Sequence, residues 1–188
     1  MKKFLYISLL LSCCLGLPLS VMAQESLKNG QVDTSFRPIL DSNPQAVIPL
    51  ADGRVVVAGT FEHVGGRDVA GVMRLNADGS ADETFNVGGT GVDGVVTNIA
   101  LQSDGKILVI GVFTTYNGTP VGQIIRLNED GSLDTTFKND NTLKLDASAY
   151  EGQYQWDLQP NKLLVSPDDS FYVLGGFNRV NEKFAPLI

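Results

Sequence analysis

The chain writes one twelve-residue phrase twice: residues 74–85 read RLNADGSADETF, and residues 126–137, 52 positions later, read RLNEDGSLDTTF. Aligning residues 46–85 with residues 98–137 at that offset needs no gap and gives 16 identities in 40 positions, with many of the other pairs apolar to apolar. An internal repeat of this length restricts the chain to architectures in which one supersecondary unit recurs and buries its apolar surface against its neighbours.

Each unit reads as four short strands, a to d. In the second unit, residues 95–102 form an apolar run that stops at Ser103-Asp104-Gly105, and KILVIGVFT follows over residues 106–114. Asp-Gly between two such runs is a strong hairpin signal. After Asn117-Gly118 the chain enters QIIRL, turns at Asp130-Gly131 and ends on residues 133–137. The first unit repeats the scheme with RVVVAGTF, GVMRL and ADETF, and helical periodicity is absent. Four antiparallel strands recurring at about fifty residues predict the blades of a β-propeller. Stacked blades bury both faces of a sheet, so the continuous apolar runs Val55-Val56-Val57-Ala58 and Ile107-Leu108-Val109-Ile110 need not alternate.

The string DGKILVIGVFTTYNGTPVGQIIRLNEDGSLDTTF resembles the delta-60 repeat (DUF5122-type) of secreted bacterial proteins, a predicted β-propeller family of unknown function. The resemblance covers residues 30–188 and implies no catalytic residues. Two departures stand out. Gly65-Gly66 replaces Asn-Gly in the first unit, and Pro167-Asp168-Asp169-Ser170 replaces the Asp-Gly turn in the third. The third unit otherwise keeps register at an offset of 64 from the second, with its 12 extra residues falling within residues 138–162. The expected fold is therefore all-β, with two complete blades (46–85 and 98–137), an insertion (138–162), a partial third blade (163–188) and an orphan N-terminal strand d at residues 30–36. Fewer than four blades make a fragment of a longer chain with further repeats the expectation.

Residues 1–23 carry two lysines, a long apolar run and Val21-Met22-Ala23, the features of a secretory signal peptide. Leu10-Leu11-Ser12-Cys13 supplies the alternative, a lipoprotein anchored through Cys13, although the sequence stays apolar beyond that cysteine. Both cysteines, Cys13 and Cys14, lie in the leader, so a processed chain holds no disulfide or thiol nucleophile. The formal charge of −7 becomes −9 once Lys2 and Lys3 leave with the leader, a balance that disfavours nucleic acid as a partner. Nothing after the leader reads as a membrane span.

Candidate sites are few. Asn76, Asp78 and Asp82, repeated as Asn128, Asp130 and Asp134, place oxygen side chains around a glycine in the manner of a calcium loop. The spacing fails the EF-hand pattern, and turn residues bonding nearby amides are the plainer reading, so no metal site is assigned. His63, the single histidine, has Glu62 beside it and Asp68 near it, without a nucleophile motif, and Thr115 takes its place in the second unit. The insertion holds the single tryptophan, Trp156, with Tyr150, Tyr154 and Asp157. Aromatic faces beside carboxylates suit stacking on sugar rings or anchoring a protein, and they equally suit covering the end of a core.

The expected function is a non-enzymatic module, secreted, periplasmic or on the cell surface, with a binding, adhesion or structural role, no catalytic residues and no cofactor. A protein or glycan ligand is expected through Tyr150, Tyr154, Trp156 and Asp157. The alternative is a glycan-active hydrolase or lyase with its site near residues 138–162. Small residues at Val21 and Ala23 place cleavage before Gln24. Mass spectrometry of secreted material should find Gln24, or its cyclised form, at the N-terminus; an acylated Cys13 would overturn this.

Overall fold

The computed structural model describes residues 33–138, 145–146, 160–176, 179–180 and 183–184, and those from Thr34 onward fall in one compact unit. The leader, with Cys13, and the candidate residues Tyr150, Tyr154, Trp156 and Asp157 lie outside the described residues. Every described strand pairing is antiparallel, and there is no helix among the described residues. The first blade is a sheet of β1 (Pro44–Pro49), β2 (Val55–Gly59) and β5 (Val72–Leu75), with β2 in the middle. Between β2 and β5 a miniature hairpin stands out, β3 (His63–Val64) with β4 (Arg67–Asp68).

The second blade copies the first. It is built from β6 (Val95–Leu101), β7 (Ile107–Val112) and β10 (Ile124–Leu127), with the hairpin β8 (Thr115–Tyr116) and β9 (Thr119–Pro120). The third follows with β12 (Pro160–Val165) paired to β13 (Phe171–Gly175). Its hairpin, β14 (Arg179–Val180) with β15 (Lys183–Phe184), pairs further with β11 (Leu145–Asp146). Even the irregularities recur: each strand a slips register near its start, between Pro44 and Ala46, Val96 and Asn98, and Pro160 and Lys162. Such bulges bend a strand and sharpen its twist.

Turn chemistry explains the sheet boundaries. At the first a–b turn Gly53 takes φ +87° and donates to Leu50 O at 3.1 Å, while Asp52 Oδ1 accepts from Arg54 N at 3.0 Å. The third blade makes the same turn without glycine. Asp169 adopts φ +63°, donates to Ser166 O at 2.9 Å, and Asp168 Oδ1 accepts from Ser170 N. Aspartate is among the few side chains that tolerate this conformation. At the hairpin tips, Gly65-Gly66 (φ +58° and +86°) and Asn117-Gly118 (φ +51° and +74°) have one geometry, the positive-φ pair of a tight hairpin. Both departures from the repeat are therefore substitutions within shared backbone shapes.

Strand d is the shortest part of each unit. It contributes one antiparallel bridge, Leu75 to Ala81 and Leu127 to Leu133, before the chain turns again at Asp82 and Asp134. The stretch at residues 30–36 behaves alike: its described part, 33–36, forms bends rather than a ladder. Its exit is held nonetheless, because Arg37 N donates to Asp78 O at 2.9 Å, as Asn86 N donates to Asp130 O at 2.7 Å one unit later. The tail of each unit is thus bonded to the c–d turn of the next.

Blades stack face to face. Strand β6 lies against β1 and β2 on one side and against β12 on the other. Val56, Val57 and Ala58, like Leu108, Val109 and Ile110, are buried on both faces of their sheets. One apolar cluster runs across the first two blades, and a second joins Leu108, Ile110 and Ile124 to Leu163, with Phe171 and Val173 packed beside it.

The position of the insertion also follows from the pairing. Leu40 bridges Val64, Val92 bridges Tyr116, and Leu145 pairs with Val180, so these three connectors are equivalent. Leu145 follows Val92 by 53 positions and Leu163 follows Ile99 by 64, which puts 11 of the extra residues (64 − 53) between Asp146 and Pro160.

Asp169 does more than close its turn. Its Oδ1 accepts from Ser103 N at 2.8 Å, its Oδ2 from the Ser103 hydroxyl, and its carbonyl from Gln102 Nε2 at 3.0 Å, all across the junction to blade two. Asp169→Gly should relieve backbone strain of about 1 kcal/mol yet still lower the melting temperature, through loss of the contact with Ser103. In a double-mutant cycle with Ser103→Ala the coupling should be about 0.5–1 kcal/mol. A coupling of zero would mean that the Ser103 hydroxyl adds nothing to the junction.

Candidate functional site

The c–d turns use the residues that resemble a calcium loop. Asp78 Oδ1 accepts from Ser80 N at 2.9 Å and from its hydroxyl at 2.7 Å, and Asn76 Nδ2 donates to Ser80 Oγ at 2.9 Å. Asp130, Ser132 and Asn128 repeat all three contacts. Asp82 points elsewhere: its Oδ1 accepts from Thr84 N and Oγ1, and its Oδ2 from Arg74 Nε at 2.7 Å and Arg54 Nη1 at 3.2 Å. Asp134 does the same with Thr136 and Arg126. Burial alone would raise these two carboxyls, but the threonine hydroxyl, the amide and the guanidinium together hold both well below the usual carboxylate range. Each guanidinium also lies over the ring that ends its unit, Arg74 at 5.1 Å from Phe85 and Arg126 at 4.9 Å from Phe137. Arg74 Nη1 reaches across to Glu129 O of the next blade at 2.5 Å. Among the described residues, no group of three or more His, Cys, Asp or Glu is arranged to hold a metal ion.

A different place gathers polar side chains around open space. Where the hairpin of blade one faces the connector into blade two, a cleft of about 450 Å³ is walled by Thr60, Glu62, His63, Asp68, Thr90 and Asp93. Val69, Ala70, Val92 and Val95 supply its apolar lining. Backbone contact fixes the junction, since Ala70 and Gly91 form the parallel bridge between the units. Gly91 has φ +82°, and a Cβ there would collide with Ala70 O, so no other residue fits.

One aspartate, Asp93, lines the cleft, and its equivalent one unit earlier, Asp41, braces the histidine on the opposite wall. Asp93 Oδ1 accepts from Thr114 N at 2.7 Å and Thr115 N at 2.9 Å, and its Oδ2 from Thr114 Oγ1 at 2.6 Å. Burial opposes its ionisation, but these donors outweigh burial and bring its pKa down to about 2. Asp41, 52 positions earlier, accepts from Glu62 N at 3.1 Å and pairs with His63 Nδ1 at 2.8 Å. His63 Nε2 lies 3.4 Å from Asp68 Oδ1, so the imidazole sits between two carboxylates. The hydrogen bond with Asp41 raises its pKa, with Asp68 and Glu62 adding attraction. Of the residues read beside His63, Asp68 and Glu62 are in place. Asp41 was missed, and the repeat offset that links it to Asp93 was the available signal. A cleft with carboxylates on polar walls and an apolar floor can hold a ligand carrying hydroxyls or a positive charge.

The charge on His63 has a testable sign. A raised folded-state pKa means that the contact with Asp41 stabilises the protein fully below the unfolded value of about 6.5 and that this contribution is lost as pH rises through the folded value. NMR titration of the ring should give a midpoint above 6.5, falling toward it in Asp41→Asn; an unchanged midpoint in the variant would remove Asp41 as the cause.

Among curated proteins and among solved structures, nothing matches the chain. Residues 50–85 and 102–137 match the family model described as a domain of unknown function (DUF5122) beta-propeller. These are the two stretches that fold from the a–b turn through strands b and c to the closing phenylalanine, Phe85 or Phe137, and the two repeats are those of the DUF5122 β-propeller family.

Proposed function

We propose that this β-propeller chain is a binding, adhesion or structural module of the cell envelope or the extracellular space, with a glycan or a protein as its ligand. The observation that carries the reading is where the insertion enters. Asp146 stands at the position of Asp41 and Asp93, beside the third hairpin, and in the sequence it leads into the stretch that holds Tyr150, Tyr154, Trp156 and Asp157. Carboxylates and aromatic rings so close in the sequence suit sugars and protein anchors alike. The leader supports export, with anchoring through Cys13 as the alternative to release. The carboxylates of the c–d turns are taken up by their own turns and by the strand-c arginines, which leaves the hairpin rim as the surface for recognition.

Glycan arrays and pull-downs from cell-surface extracts, using the purified chain, test the proposal. Binding to a defined glycan class or surface protein is expected, with at least tenfold weakening in Trp156→Ala; clean negatives in both formats would count against it. Turnover of a glycan that is lost in Glu151→Gln or Asp157→Asn would instead favour an enzyme.

A further inference from the structure

The three blades present equivalent faces, and comparing them position by position exposes an imbalance. On the face toward the next blade, blade one has Val56 and Ala58 and blade two has Leu108 and Ile110, each 0% exposed. The equivalent residues of blade three are Tyr172, 62% exposed, and Leu174, 47% exposed, with Leu164 beside them at 47%. These three share one side of the β12–β13 pair, because Leu164 is opposite Tyr172 in the register and Leu174 is two residues on. The opposite faces show the converse. Ile99 and Leu163, which meet the preceding blade, are 5% and 4% exposed, whereas their equivalent in blade one, Val47, is 55% exposed.

Around Val47 lies a groove of about 380 Å³, lined by Phe36, Leu40, Val55, Val57 and Leu75. Phe36 ends its segment as Phe85 and Phe137 end theirs. Phe85 is buried in the first junction, and Phe137 packs on Phe171 of blade three with ring centroids 6.2 Å apart. Among the described residues the groove is thus one half of a blade junction, and the outer face of blade three has the character of the other half. Polar groups agree. Asn98 Nδ2 donates to Asn161 O in the junction of blades two and three. Lys162 occupies the position of Asn98 and Gln45 that of Asn161, so the same stacking would bring the Lys162 ammonium to Gln45 O, beside Asp41 on the groove wall.

We infer that a second copy of this chain docks head to tail, the Leu164, Tyr172 and Leu174 face of one entering the Phe36, Val47 and Val57 groove of the other. The contact continues the stacking seen twice within the chain and joins two different surfaces, so it is heterologous. It is independent of any ligand at the hairpin rim.

Analytical ultracentrifugation of the purified chain over a range of concentrations tests this. Wild-type protein should associate with rising concentration. Tyr172→Asp and Val47→Asp should each be monomeric, with wild-type circular dichroism and melting temperature; Leu164→Lys replaces the first if it misfolds. Mixed together, the two variants should form a 1:1 dimer and nothing larger, because one retains the groove and the other the face. A wild-type chain that stays monomeric, its faces covered by another segment or partner, overturns the proposal. So does self-association of either variant at the wild-type level, which would mean a like-to-like contact or another surface.

Discussion

A strand with no polar face has to be sandwiched. Val56 to Ala58 in the first blade and Leu108 to Ile110 in the second offer apolar groups to both sides of their sheets, so each sheet calls for cover on either side. Burial at about 25 cal/mol per Å² of apolar surface makes each such face a driving force for stacking another blade upon it. The rest of the architecture is arranged around this requirement: short strands, tight turns that keep the strands in line, and connectors that deliver the chain to the next sheet.

Hydrophobic stacking alone does not fix how one sheet sits on another, and polar contacts at the periphery supply that register. Arg74 joins Asp82 and Thr84 within its blade to Glu129 O of the next. The backbone of Arg37 and Asn86 bonds to successive c–d turns, and Ala70 bridges Gly91 where the hairpins meet. Because Asp82 and Arg74 are almost wholly buried, removing either would strand the other's charge, which is far more costly than the net value of the pair. The DGS-x-D phrase that first marks the repeat is therefore the part that holds blades in order.

Much of this was legible in the sequence. Asp-Gly and Gly-Gly pairs located the turns because few other residues reach those dihedrals, and the continuous b runs announced a sheet buried on both sides. Strand d was overread: ADETF and LDTTF look extended, yet Asp82 and Asp134 accept from the amide and hydroxyl two residues on and fold the chain into a turn after one bridge. The third turn looked broken for want of glycine, although Asp169 keeps its shape. Around His63, Glu62 and Asp68 were visible as sequence neighbours, while Asp41 was not, since its contact spans 22 residues and its counterpart Asp93 lies outside the aligned window.

Asp169 also bears on how such an array can evolve. Units that were strictly identical could be duplicated, deleted or shuffled by recombination with little penalty, each junction accepting any neighbour. A side chain that replaces the turn glycine in one unit and grips Ser103 in the unit before it makes that junction unlike the first. Blade three is thereby addressed to blade two, and an array rearranged by recombination would lose a contact even where every blade still folded.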